Sequence, residues 1–136
     1  MDNSILITRP DFDDATHYLN VWSSKIVKLC QERGIDYIDL DGEKADSNHF
    51  RTGSKLIAFN GHGDPNTILG NGWDKVLVNL DNCGMLKDTI VHSVSCESAK
   101  ILGNKCIETG TKAFIGYKEK FNFIGDTNMI SRPPGS

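Results

Sequence analysis

No stretch of the 136 residues approaches the ~20 consecutive apolar positions of a membrane span. Lys and Arg never gather into a stripe and the net charge is −3, so the basic face that nucleic-acid binding normally needs is missing. Met1-Asp2-Asn3 leads straight into Ile5-Leu6-Ile7, without the charged-then-apolar layout of a secretory signal. Cysteine is sparse. Cys30, Cys83, Cys96 and Cys106 form no CxxC pair, and free thiols in a reducing compartment explain them better than a disulfide framework. Repeats and low-complexity segments are absent too. These gaps lead us to expect a cytoplasmic protein with neither a membrane nor a nucleic-acid partner.

What is there suits one folded unit. A chain of this length buries roughly two-thirds of its unfolded surface. Its 38% hydrophobic and 24% charged residues are ordinary for a globular domain. We expect a domain over residues 1–125 and a flexible tail over 126–136.

Short apolar runs alternate with helical spacing. Ser4-Ile5-Leu6-Ile7-Thr8 reads as a first strand, closed by Arg9-Pro10. Asp13 and Asp14 can cap a helix whose apolar stripe runs from Ala15 through Tyr18, Leu19, Trp22, Ile26 and Leu29 to Cys30, with Gly34 ending it. Residues 35–40 form a second strand, and the polar stretch 43–53 a short exposed helix. Lys55-Leu56-Ile57-Ala58-Phe59-Asn60 is a third strand running into Gly61-His62-Gly63. Gly70-Asn71-Gly72 marks a small hairpin, and residues 80–87 a helical turn. A fourth strand, 89–95, ends at Cys96; a helix is expected over 97–102, closed by Gly103, and a fifth strand over 112–117. The pattern predicts an α/β fold: a three-layer, open, mainly parallel sheet flanked by helices, with a small hairpin after the third strand.

In such sheets chemistry collects at the carboxyl ends of the strands. Gly61-His62-Gly63 and Cys96 both lie there, and neighbouring third and fourth strands would bring them together. Only a thiolate attacks, and a thiol at its reference pKa of ~8.5 is mostly protonated at neutral pH. A helix starting after Cys96 would stabilise the negative charge, and the His62 imidazole can accept the proton and later deliver it to a leaving group. Glu97 works slightly against the thiolate. Gly61 permits an unusual backbone angle, and Gly63 lets a substrate carbonyl approach the main chain. The N–H groups of Gly63 and Cys96 then form an oxyanion hole. Taken singly, Cys96 also reads as a small buried apolar residue and His62 as a satisfied core or surface histidine. His92 reads as a packed or edge residue, Cys30 and Cys106 as structural, and Cys83 as a loop cysteine.

Leu56-Ile57-Ala58-Phe59-Asn60-Gly61-His62-Gly63, followed by Ile90-Val91-His92-Ser93-Val94-Ser95-Cys96-Glu97-Ser98-Ala99, resembles the caspase-like cysteine peptidases, and Ser95-Cys96-Glu97-Ser98-Ala99 looks closest to the CHAT branch. The resemblance covers the chain from the first strand to Tyr117. It implies strand order 2-1-3-4-5, a His62/Cys96 dyad, Gly63 as an oxyanion donor, and peptide-bond hydrolysis through a thioester without metal or organic cofactor. Two departures stand out. Val94 occupies the place where metacaspases carry an Asp for a basic P1 side chain, and the strand and helix that usually complete the unit are not evident. A compact variant, a processed fragment and a shortened form all fit that ending.

In this fold the loop after the first strand often lines the P1 pocket, and here it offers Arg9, Asp11, Asp13 and Asp14. Three acids against one base favour Lys or Arg at P1, held by Asp11 or Asp13; helix capping explains Asp13 and Asp14 equally well. Tyr117, Phe121 and Phe123 can wall the cleft or fill the core. The leading expectation is a cysteine endopeptidase acting on protein or peptide substrates, with a regulatory protein partner in a larger assembly. The alternative is a caspase-like module that has lost catalysis and signals by contact. A metal site from His62, Cys96 and His92 or Cys83 lacks ligand-pair spacing. A flavodoxin-like or receiver-type domain lacks the glycine-rich phosphate loop, since the first strand ends in Thr-Arg-Pro.

Overall fold

A computed structural model describes residues 4–118 apart from residue 52. The expected domain boundary at 125/126, the tail, Phe121 and Phe123 lie outside the described residues. Strands β1 (Ile5–Arg9), β2 (Tyr37–Asp41), β3 (Leu56–Asn60), β7 (Ile90–Val94) and β8 (Ala113–Ile115) form a five-stranded parallel sheet in the order β2-β1-β3-β7-β8. This is the order 2-1-3-4-5 once the small strands β4 (Gly63–Asp64), β5 (Thr67–Leu69) and β6 (Val76–Val78) are set aside as a separate antiparallel sheet. The turn over residues 70–75 joins β5 to β6, so the residues that follow Gly70-Asn71-Gly72 directly belong to the turn and the second arm begins at Val76.

The inner strands are apolar on both faces because both are covered. On one face Ile7 and Ala58 pack beneath Val27 and Ile26 of helix α1 (Asp14–Arg33). Leu29, expected in the buried stripe, is instead exposed. On the other face Leu6, Ile57, Phe59 and Val91 meet Ile68, Leu77, Leu86 and, from helix α2 (Leu102–Glu108), Leu102 and Cys106. The polar stretch after β2 is not an exposed helix. It makes two 3-10 turns, Gly42–Lys44 and Ser47–Arg51, and buries Phe50 with its ring edge-on to Phe59, centroids 5.1 Å apart. The helical turn expected over 80–87 is the 3-10 segment Cys83–Leu86.

Two further expectations fail for physical reasons. Residues 96–101 are turns, not a helix; α2 begins only at Leu102, and Gly103 lies inside it. Glu97 adopts a left-handed φ of 58°, which breaks helical continuity directly after the cysteine. Arg9 does not reach the rim. Its guanidinium is buried, bonded to both carboxylate oxygens of Asp39 at 3.1 and 3.0 Å, to Ser23 Oγ, and to Asn20. Among the described residues, no helix is long and apolar enough to cross a membrane.

Candidate active site

Strands β3 and β7 are adjacent and in register from Leu56–Ile90 to Asn60–Val94, with the Gly61 N–H donating to the Val94 carbonyl at 3.1 Å. His62 and Cys96 each lie two residues past that last pair, so adjoining strands deliver both to the same carboxyl rim. Gly61, at φ 145°, makes the bend there, and a β-carbon on it would meet Pro10 Cγ at 2.9 Å.

Gly63 is also where two segments of the chain approach closely. A β-carbon there would fall 2.9 Å from Ser95 Cβ, 3.0 Å from Thr67 O and 3.2 Å from Cys96 O. The crowding comes from the chain itself, and it presses the His62-Gly63 segment against the Ser95-Cys96 turn. The Leu69 N–H donates to His62 O at 2.9 Å, which makes Gly63 and Ile68 a non-bonded pair of the antiparallel ladder. The Gly63 N–H therefore points away from β5, and the ladder does not consume it.

Beneath Cys96 the turn is held by hydroxyls. Ser93, Ser95 and Ser98 are fully buried; Ser98 Oγ lies 3.0 Å from Ser93 Oγ and 3.2 Å from Ser95 Oγ, and donates to Ser95 O at 3.2 Å. Cys96 itself is half-buried, whereas Cys30, Cys83 and Cys106 are buried. Burial, followed by the neighbouring Cys83 thiol, pushes the Cys106 thiol up to about 12. With α2 starting six residues on, no helix N-terminus follows Cys96 directly, so that expected source of thiolate stabilisation is absent. The adjoining acid, Glu97, has a side chain 14% exposed and lies 3.8 Å from Lys100 Nζ.

His62 has a partner the sequence did not reveal as such. Its Nε2 lies 2.6 Å from Asp13 Oδ2. Asp13 is the N-cap of α1: its Oδ1 accepts from Thr16 N at 2.9 Å and from Thr16 Oγ at 2.8 Å. The Asp13 carboxyl is held below the usual aspartate range. Burial is the largest single influence and opposes this, but the Thr16 N–H, the Thr16 hydroxyl and His62 together outweigh it. The imidazole is boxed in by rings as well. Trp73 stacks on it with centroids 4.1 Å apart and planes 29° apart, and Phe12 meets it edge-on at 5.6 Å. Asn71 ties the hairpin tip to the loop after β1, its Oδ1 accepting from the Asp11 N–H at 2.7 Å.

The two residues expected to hold a basic P1 side chain therefore differ. Both oxygens of Asp13 are engaged inside the protein, so it is the imidazole's partner and not a presented anchor. Asp11 stays at the surface, with its carboxylate 3.1 Å from Nδ1 of the exposed His17 on α1. Tyr117 packs against the cluster of Tyr18, Leu19 and Val94. His92, half-buried in mid-sheet opposite Ala58 and Ile115, is packed and not at an edge. Among the described residues, no three or more His, Cys, Asp or Glu side chains gather where they could hold a metal ion. Comparison of the chain with known families, with curated proteins and with solved structures finds no match.

Proposed function

We propose that this domain is a cysteine endopeptidase of the caspase-like kind, with Cys96 as nucleophile and His62 as its base. The observation that carries the reading is the paired end of β3 and β7, with Gly63 packed against the Ser95-Cys96 turn. It supports a thiol and an imidazole at one rim, next to a backbone N–H that the neighbouring ladder does not use.

The reaction follows from those groups. His62 takes the Cys96 thiol proton, and the sulfur adds to the scissile carbonyl carbon. The developing oxyanion is received by the Gly63 and Cys96 N–H groups. Collapse breaks the C–N bond as His62 hands its proton to the leaving amine, and the acyl group stays on sulfur as a thioester. Water, deprotonated by His62, then releases the acid and restores the thiol. The preference for a basic P1 side chain rests on Asp11 alone, and an incoming cation there competes with His17 for the carboxylate.

Labelling with an electrophilic peptide ketone tests the proposal directly. Loss of labelling in Cys96→Ala and retention in Cys83→Ala is the expected result. Equal labelling of both variants removes the peptidase reading and leaves a module that acts by contact. A peptide-library cleavage profile then reports the P1 choice.

A further inference from the structure

We infer that Asp13 is a positioning residue for His62: it keeps the imidazole proton on Nε2, so that the lone pair sits on Nδ1, the nitrogen left for the reacting thiol. The functional consequence rests on the peptidase reading above; the positioning itself does not.

Three observations carry it. The first is the 2.6 Å approach of Asp13 Oδ2 to His62 Nε2. An ionised carboxylate can only accept, so Nε2 must be the donor, and a neutral imidazole then carries its free lone pair on Nδ1. The second is how firmly the carboxylate is held. Thr16, fully buried, donates to Asp13 Oδ1 through its N–H and its hydroxyl, and its Oγ accepts from the Asp13 N–H at 3.1 Å and the Phe12 N–H at 2.9 Å. The first turn of a twenty-residue helix favours the negative charge at that place. The third is the ring's confinement. With Trp73 stacked on it and Phe12 at its edge, the imidazole is oriented by contacts besides the hydrogen bond. A residue that only capped the helix would require none of the second oxygen's geometry.

The decisive variant is Asp13→Asn in the full chain. Asn caps a helix as well as Asp does. Its carbonyl replaces Oδ1 towards Thr16, and its amide then presents an N–H to Nε2, which forces the imidazole proton onto Nδ1. Nitrogen-15 NMR of the ring should show the proton on Nε2 in the wild type and its transfer to Nδ1 in Asp13→Asn. Cys96-dependent hydrolysis should fall on the order of 10²- to 10⁴-fold, the usual worth of a general base. Asp13→Ser, which also caps, should keep the thermal midpoint near that of Asp13→Asn but leave a tautomer mixture. An unchanged tautomer in both variants overturns the positioning role even if hydrolysis depends on Cys96 and His62. A switched tautomer in a protein without Cys96-dependent hydrolysis keeps the positioning role and overturns the peptidase reading.

Discussion

Gly63 runs so close to Ser95 that a β-carbon on it would lie 2.9 Å from the serine's own, with the Cys96 carbonyl oxygen at 3.2 Å. Contacts this tight between two backbone segments leave no flexible side chain to give way. Gly63→Ala should therefore destabilise the fold by about 1–3 kcal/mol, the usual range for overpacking. On the peptidase reading it should also lower kcat more than a core substitution of equal stability cost, because it separates the His62 segment from the Cys96 segment. Denaturant melts run beside initial rates check both parts.

The chain holds four cysteines, yet their surroundings differ sharply. Cys96 is half-buried, the other three are buried, and the Cys106 thiol is pushed up to about 12, first by burial and then by Cys83. A thiol held that high offers almost no thiolate at neutral pH. Iodoacetamide should modify Cys96 alone in the native protein and all four thiols in guanidinium. Mass spectrometry of the alkylated peptides gives the count, and rapid native modification of Cys83 or Cys106 would contradict the packing.

Acid should expose the Asp13 linkage. Its folded-state pKa lies below the unfolded value of ~3.9, so the carboxylate stabilises the fold fully above that value. That contribution disappears as the pH drops through the folded-state value. The wild-type melting temperature should thus decline more steeply than that of Asp13→Asn on acidification below about pH 4. Parallel slopes for the two proteins would be the contrary outcome.

Trp73 is 66% exposed, so its removal takes little from the core. We expect Trp73→Ala to change stability by no more than about 1 kcal/mol, within the range for aromatic pairing. Its effect should fall on turnover, because the indole face is one wall of the His62 site. Trp73→Phe should recover most of the rate. Comparing kcat across the three proteins at equal folded fraction decides the point.

The hydroxyls under Cys96 make a separate expectation. Ser98 is fully buried and bonds to Ser93, Ser95 and the Ser95 carbonyl. Ser98→Ala leaves the Ser93 and Ser95 hydroxyls bonded to each other but removes the hydroxyl donor to the Ser95 carbonyl, and should cost about 1 kcal/mol. Cys96 alkylation should slow as well, since the turn presenting the sulfur loses its anchor. A full alkylation rate in a destabilised Ser98→Ala would limit the network to a structural role.

Much of this architecture could be read from the residues alone. The three inner strands, β1, β3 and β7, announce themselves as short apolar runs because they are covered on both sides, and Gly70-Asn71-Gly72 marks the hairpin turn by local backbone preference. What stayed hidden depends on contacts distant in sequence or on uncommon backbone angles. Asp13 and His62 are 49 residues apart, and nothing local distinguishes a capping aspartate that also meets an imidazole. The signal to look for was the number of acids crowding the loop after the first strand. Glu97 takes a left-handed conformation usually marked by glycine, so the break between Cys96 and α2 carried no flag. Phe50 looked like part of a solvated stretch because its only apolar companion there is Ala45; its place in the core is set by Phe59, on a different strand.

The carboxylate that terminates α1 is the same one that meets the imidazole. Fraying of one helical turn and loss of the His62 ring's alignment are thus a single event. On the peptidase reading, anything that unwinds residues 13–16, whether heat, acid or a ligand tugging on the loop after β1, would silence hydrolysis while the sheet stayed intact. Inactivation should then precede global melting on a gradual heating ramp.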